Sequence, residues 1–143
     1  MANKNIDGIA PFLKREHLNA LRTPLMNAAH FHDLGKLDKE NQVVLHDEVQ
    51  HRKLIYEHRD AGIKFLYETL LDKAAATLVF AHHKPGLLNV IEERLNPFPF
   101  RFKDTRTHTD ERIQEYLTVY VQETGTVIPV SPRVNPAFRS TDY

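Results

Sequence analysis

Apolar residues recur at helical spacing near the end of this chain: Ile113, Tyr116, Leu117, Tyr120 and Val121 stand at i, i+3, i+4, i+7 and i+8, and Gly125 closes the run. Such spacing lays one apolar stripe along an α-helix, and glycine just past the last turn is a usual stop. The same reading extends upstream. Residues 11–21, with Leu13, Leu18 and Leu21, form a short helix; Thr23-Pro24 then reads as an N-cap with proline at the first helical position. The helix so opened, 25–31, is mostly apolar and is stopped by Gly35. Residues 38–47 suit a further helix, 58–72 an amphipathic one through Ala61, Phe65, Leu66 and Leu70, and 73–83 a buried one closed by Pro85-Gly86. Residues 87–95 follow as another helix before Pro97 and Pro99, residues 97–106 read as a loop, and 49–56 are ambiguous. The expected fold is all-α, a compact bundle of six to seven helices over residues 1–126. Residues 127–143, with three prolines, are expected to be an extended tail.

A chain of 143 residues fits one domain, since domains commonly run to ~100–150 residues. The longest apolar run, 74–81, falls far short of the ~20 residues a bilayer span needs. No membrane is therefore expected, and the first residues lack the apolar stretch of a secretory signal. Cysteine is absent, which excludes disulfides, thiolate metal sites and a cysteine nucleophile; a cytoplasmic protein is expected. The 19 basic and 19 acidic residues cancel, so no broad basic field is available to hold nucleic acid. Contact with nucleic acid must be local, helped by bound cations, or delegated to a partner. Nine histidines are present, and a metal site here would use imidazole and carboxylate, a donor set suited to transition metals.

Chemistry concentrates in residues 28–36, AAHFHDLGK. His32-Asp33 follows an apolar helix and precedes Gly35 and Lys36, so this polar pair is expected at a helix end against the core. A second His-Asp pair, His46-Asp47, lacks that framing and reads as solvated surface. A carboxylate at such a position can bridge two cations, which at ~3.5–4 Å apart clamp a phosphate and activate a shared water. Further candidate ligands are His58, at the start of the next long helix, and His82-His83, where the buried helix ends. Histidines at helix ends around an apolar body would be poor core design without a metal, because buried polar groups need partners. Asp110 is the candidate for a last carboxylate, although Thr107-x-x-Asp110 also resembles a capping box. His108 is read either as surface or as a contact to substrate or metal.

Read in order, these residues resemble the HD phosphohydrolase superfamily, with its pattern H…HD…H…H…D. More narrowly they are similar to the CRISPR-associated HD nuclease, the nuclease part of the type I interference helicase–nuclease. The segments FHDLGKLDKENQ (31–42), EHRDAG (57–62), AHHKPG (81–86) and HTDERIQEYL (108–117) carry the likeness. The resemblance implies an HD-domain helical bundle that cuts single-stranded DNA with two divalent transition metals (manganese, nickel, cobalt or iron, with magnesium as an alternative). It implies that Asp33 bridges the metals, that His58, His82 and His83 hold the second, and that Lys36 stabilises charge at the scissile phosphate. It implies work in antiviral defence beside a separate helicase or effector complex. The family's first histidine usually lies more than twenty residues before the HD pair. Here the upstream choices are His17 and His30; His17 is preferred, on a short helix packed antiparallel to the next. An HD hydrolase of nucleotides or cyclic nucleotides, and a non-catalytic interaction module, are the alternative readings.

Overall fold

A computed structural model describes residue 11 and residues 14–47, 53–82 and 100–128. Among these residues there are five α-helices and no strand: α1 (Arg15–Phe31), α2 (Lys39–Leu45), α3 (Arg59–Lys64), α4 (Lys73–Ala81) and α5 (Arg106–Thr124). A 3-10 turn (Leu34–Leu37) joins α1 to α2, and a single π turn (Phe65–Thr69) continues α3. The chain is thus all-α over the described residues. The helix expected at 87–95 and nearly all of the expected tail lie outside them.

Two boundaries differ from expectation. Pro24 does not open a new helix but sits inside α1, which is continuous. Proline cannot donate to the carbonyl four residues back, here that of Ala20. That residue belongs to the exposed first half of α1, so the carbonyl is left open to solvent. The second difference is the π turn, in which Leu70 N–H donates to Phe65 O at 3.0 Å and Asp72 N–H to Leu66 O at 2.8 Å. The widened turn ends the helix early, with Leu71 at φ +56°. Asp72 then caps α4 by accepting from Ala75 N–H at 2.9 Å, and its other oxygen takes a hydrogen bond from Asn27 of α1.

Helix α3 lies at the centre. Arg59, Asp60, Ala61, Gly62 and Ile63 are all buried, and α1, α4, α5 and the 3-10 turn pack around it. Phe31 at the end of α1 meets Phe65 edge-on at 4.7 Å and Tyr120 of α5 at 5.3 Å, which fixes the end of α1 in the core. Gly125, at φ +65°, ends α5 as a left-handed cap.

Two buried charge clusters brace this frame. Asp38 accepts from Glu40 N–H and Asn41 N–H through Oδ1, which caps α2. Through Oδ2 it accepts from Tyr116 Oη at 2.6 Å and pairs with His108 Nε2 at 2.7 Å. The His108 ring lies flat on Tyr56 at 3.6 Å. Burial pushes the Asp38 carboxyl up, but hydrogen bonds from Tyr116, His108 and the two backbone amides outweigh it and hold the carboxyl below its ordinary range. In the second cluster the Arg101 side chain, 3% exposed, forks onto fully buried Asp60 at 2.7 and 2.8 Å and also reaches Glu68 and Asp110, each at 2.9 Å.

Candidate functional site

Helix α1 ends where Phe31 enters the core, and the chain turns at His32 and Asp33. His32 is the C-cap, its N–H donating to Ala28 O. Its ring Nδ1 lies 2.9 Å from Ala29 O, and a nitrogen facing a carbonyl has to be the donor. In the neutral ring that leaves a lone pair on Nε2, and Nε2 stands 3.2 Å from Asp33 Oδ2. With the ring neutral, two electron-rich atoms face each other at contact distance; with it protonated, the two form an ion pair.

Asp33 is unusual in a second way. Oδ2 accepts from Lys36 Nζ at 2.9 Å, whereas Oδ1 is buried with no hydrogen-bond partner. His58 Nε2 stands 3.6 Å from Oδ1, too far for a hydrogen bond. A buried carboxylate oxygen left bare in this way calls for an explanation such as a bound ion.

Glycines bring His58 to this turn. Gly35 N–H donates to His58 O at 3.1 Å, and a Cβ on Gly35 would stand only 2.4 Å from that same oxygen. A Cβ on Gly62 would stand 2.2 Å from Phe31 O. Gly35 therefore does not act as the left-handed helix stop that its position suggests; it lets two backbones touch. The polar Asn41-Gln42 pair of the motif buttresses the same turn. Asn41, fully buried, donates to Gly35 O and Tyr56 O and accepts from Tyr56 N–H, while Gln42 donates to Lys36 O.

His82, the C-cap of α4, sets its ring edge-on to that of His32 with centroids 5.1 Å apart. His32, Asp33, Lys36, His58 and His82 are thus gathered at one place, and His83 lies outside the described residues. Among the described residues these side chains do not form a finished ligand set of three or more as they stand. The donor types still suit a divalent transition metal: a carboxylate with one bare oxygen, the His58 imidazole beside that oxygen and the His32 imidazole beside the other.

Two expected ligands have other partners. His17 lies exposed in the first turn of α1, with Glu16 at 3.9 Å. Because α1 is one continuous helix instead of two packed antiparallel, fifteen residues at 1.5 Å each put His17 about 22 Å from His32. Asp110 is engaged by Arg101 at 2.9 Å and Lys64 at 3.0 Å. Burial raises its pKa, but those two cations prevail and hold it below the ordinary range. His30, the other upstream choice, is exposed and touches Tyr120 Oη, and His46 pairs with Gln42 on the surface.

Sequence reasoning missed Glu57 and Arg59, which flank His58. Arg59 forks onto Glu57 at 2.9 and 3.0 Å, and those hydrogen bonds hold the Glu57 carboxyl below its usual range. Their alternation in EHR was the available signal. No family model, curated protein or solved structure matches the chain.

Proposed function

We propose that this protein is a metal-dependent phosphohydrolase of the HD type, a nuclease acting on single-stranded DNA, with its working centre at Asp33. The observation that carries the reading is the bare, buried Oδ1 of Asp33, with His58 Nε2 3.6 Å away and His32 Nε2 on the other oxygen. The Lys36 ammonium offsets part of this concentration of acceptors, and one or two divalent cations would offset more.

Asp33, His32, His58 and His82 would hold the cations, and His83, outside the described residues, is a further candidate. Bound there, the cations would supply Lewis acidity and activate a water. The chain's own residues do the rest. The carbonyl of Ala29 keeps His32 in the tautomer that leaves Nε2 available. Lys36 sits on a partly exposed stem, so its ammonium reaches either Asp33 or an incoming phosphate oxygen, where it stabilises developing charge. The choice of DNA as substrate, and of a helicase or CRISPR effector complex as partner, rests on the motif resemblance. The zero net charge agrees with delivery of the strand by such a partner, and equally favours the second reading, hydrolysis of nucleotides or cyclic nucleotides.

One assay separates these readings. Metal-free protein is given manganese, nickel, cobalt, magnesium or zinc in turn, with circular single-stranded DNA beside a nucleotide panel. Cleavage of the circle by the parent protein and none by Asp33→Ala is the expected result. Activity persisting in Asp33→Ala removes the site, and hydrolysis of nucleotides alone selects the second reading.

A further inference from the structure

Asp33 and His58 stand side by side, yet at 3.6 Å between Oδ1 and Nε2 no hydrogen bond sets their distance. The backbone that carries them sets it instead. Gly35 turns both of its peptide groups to this task. Its N–H donates to His58 O at 3.1 Å, and its C=O accepts from Asn41 Nδ2 at 3.0 Å. The same Nδ2 donates to Tyr56 O at 3.0 Å, and Asn41 Oδ1 accepts from Tyr56 N–H at 2.9 Å. One side-chain amide thus pairs with Tyr56 as a neighbouring strand residue would, in a stretch (53–57) that is neither helix nor strand. Asn41 is itself fixed. It is fully buried, and its N–H is taken at 3.2 Å by Asp38, whose carboxylate is held by Tyr116 and His108. Leucine would fill similar space and make none of the three side-chain bonds; aspartate, an acceptor only, would keep just the one from Tyr56 N–H.

We infer that Asn41 is the positioning residue of the Asp33 centre: its amide fixes how far the turn that carries Asp33 stands from the segment that carries His58. The inference rests on the metal-centre reading. Asn41 is not itself a ligand. It acts through peptide groups, on Gly35 just after Asp33 and on Tyr56 just before His58. The spacing is therefore in place before any cation arrives, whatever the protonation of the two side chains.

The test uses the full chain and three readouts. Amide hydrogen exchange in the metal-free parent should find Tyr56 N–H already protected, and nickel should change that little. Calorimetric titration with nickel gives affinity. The visible spectrum of cobalt at saturation gives the geometry around the bound ion, independent of affinity. In Asn41→Ser, which loses the double contact with Tyr56, nickel affinity should fall about 10-fold, the low end for groups that support a ligand from behind, and the cobalt bands should shift. Gly125→Ala, strained at the end of α5, controls for lowered stability alone and should match the parent in both. An Asn41→Ser protein that unfolds more easily but keeps the parent's affinity and cobalt bands leaves Asn41 a purely structural role and overturns the inference. So does a parent whose Tyr56 N–H exchanges freely without metal and is protected only with nickel, because the cation then orders the segment. That measurement decides even if Asn41→Ser does not fold. Nickel bound by the parent and lost in Asp33→Asn keeps the metal centre in either case. A parent protein that binds no nickel removes both.

Discussion

Replacing Gly62 by alanine tests the close approach on which the site depends, because two physical arguments give opposite signs. Gly62 lies inside α3 with ordinary helical φ, and on helix propensity alone alanine should stabilise by about 1 kcal/mol. The structure says otherwise. The new methyl would stand 2.2 Å from Phe31 O and 3.5 Å from His32 Cα. Ordinary contact lies near 3.5 Å, so α3 and the end of α1 must part by roughly 1 Å. Both are backbone elements locked in the core, so no flexible side chain absorbs the strain. Overpacking of this kind costs ~1–3 kcal/mol, and the backbone's part in it places the expectation at the upper end. After the propensity gain, a net loss of about 1–2 kcal/mol remains, or roughly 2–8 °C in Tm for a chain of this size. Urea and thermal unfolding at fixed pH measure it. Gly125→Ala is the comparison: nothing lies within 4 Å of its added Cβ, and its cost comes from φ +65° alone, about 1–2 kcal/mol. Only Gly62→Ala should also weaken nickel binding, since it moves His32 from His58. A Gly62→Ala protein as stable as the parent would refute the close-approach reasoning.

Four further outcomes follow from the same geometry. Asp33→Asn removes the facing lone pairs around a bare oxygen and should raise the metal-free unfolding free energy by about 0.5–1 kcal/mol while abolishing nickel binding; lower stability in urea would count against a metal-poised carboxylate. Arg101→Met strands Asp60 as an unpaired buried charge and should cost ~3–5 kcal/mol, seen as loss of the cooperative urea transition or a large midpoint shift. Tyr116→Phe deletes a hydrogen bond to a charged acceptor and should cost ~1.5–3 kcal/mol by the same measurement. Asp38 governs part of the pH response: its folded pKa lies below the unfolded value near ~3.9. Its contribution is therefore present above that pH and lost as pH falls through the folded pKa. Urea midpoints followed downward from pH ~5 should drop, and Asp38→Asn should flatten that slope.

Local signals were legible in the chain wherever one residue decides the outcome. Gly125 ends α5, Asp38 starts α2, and the framing of His32-Asp33 separates it from surface-exposed His46. His58 and His82 were readable because both stand at helix ends, where side chains from different elements meet. What stayed hidden depends on distance in space. Pro24 reads as a start until exposure of its neighbours lets α1 run through it, and that one change carries His17 away from the site. Gly35 and Gly62 look like a stop and a helix defect; only the opposing carbonyls of His58 and Phe31 show why they are glycine. Asp110 fits a ligand pattern as well as a cap, and the return of Arg101 from an intervening segment decides where its carboxylate is spent. Glu57 and Arg59 carried a readable charge alternation, but nothing local tells that Arg59 also reaches Phe80.

The contacts that support the centre also differ in when they become available. Asp33 meets His58 25 residues along the chain, while Asp38 meets Tyr116 78 residues along. In equilibrium that difference is small, because closing the longer loop costs only about 1 kcal/mol more. In time it is larger. Synthesis proceeds at roughly 5–20 residues per second, so the segment through His82 precedes the first turn of α5 by about 1–5 s. If folding follows synthesis, Asp33 and His58 come within reach of each other first, and the buried carboxylate of Asp38 waits for Tyr116 and His108. Helix α5 is then a late latch, closing over Asp38 only after the segments that carry Asp33, His58 and His82 are present.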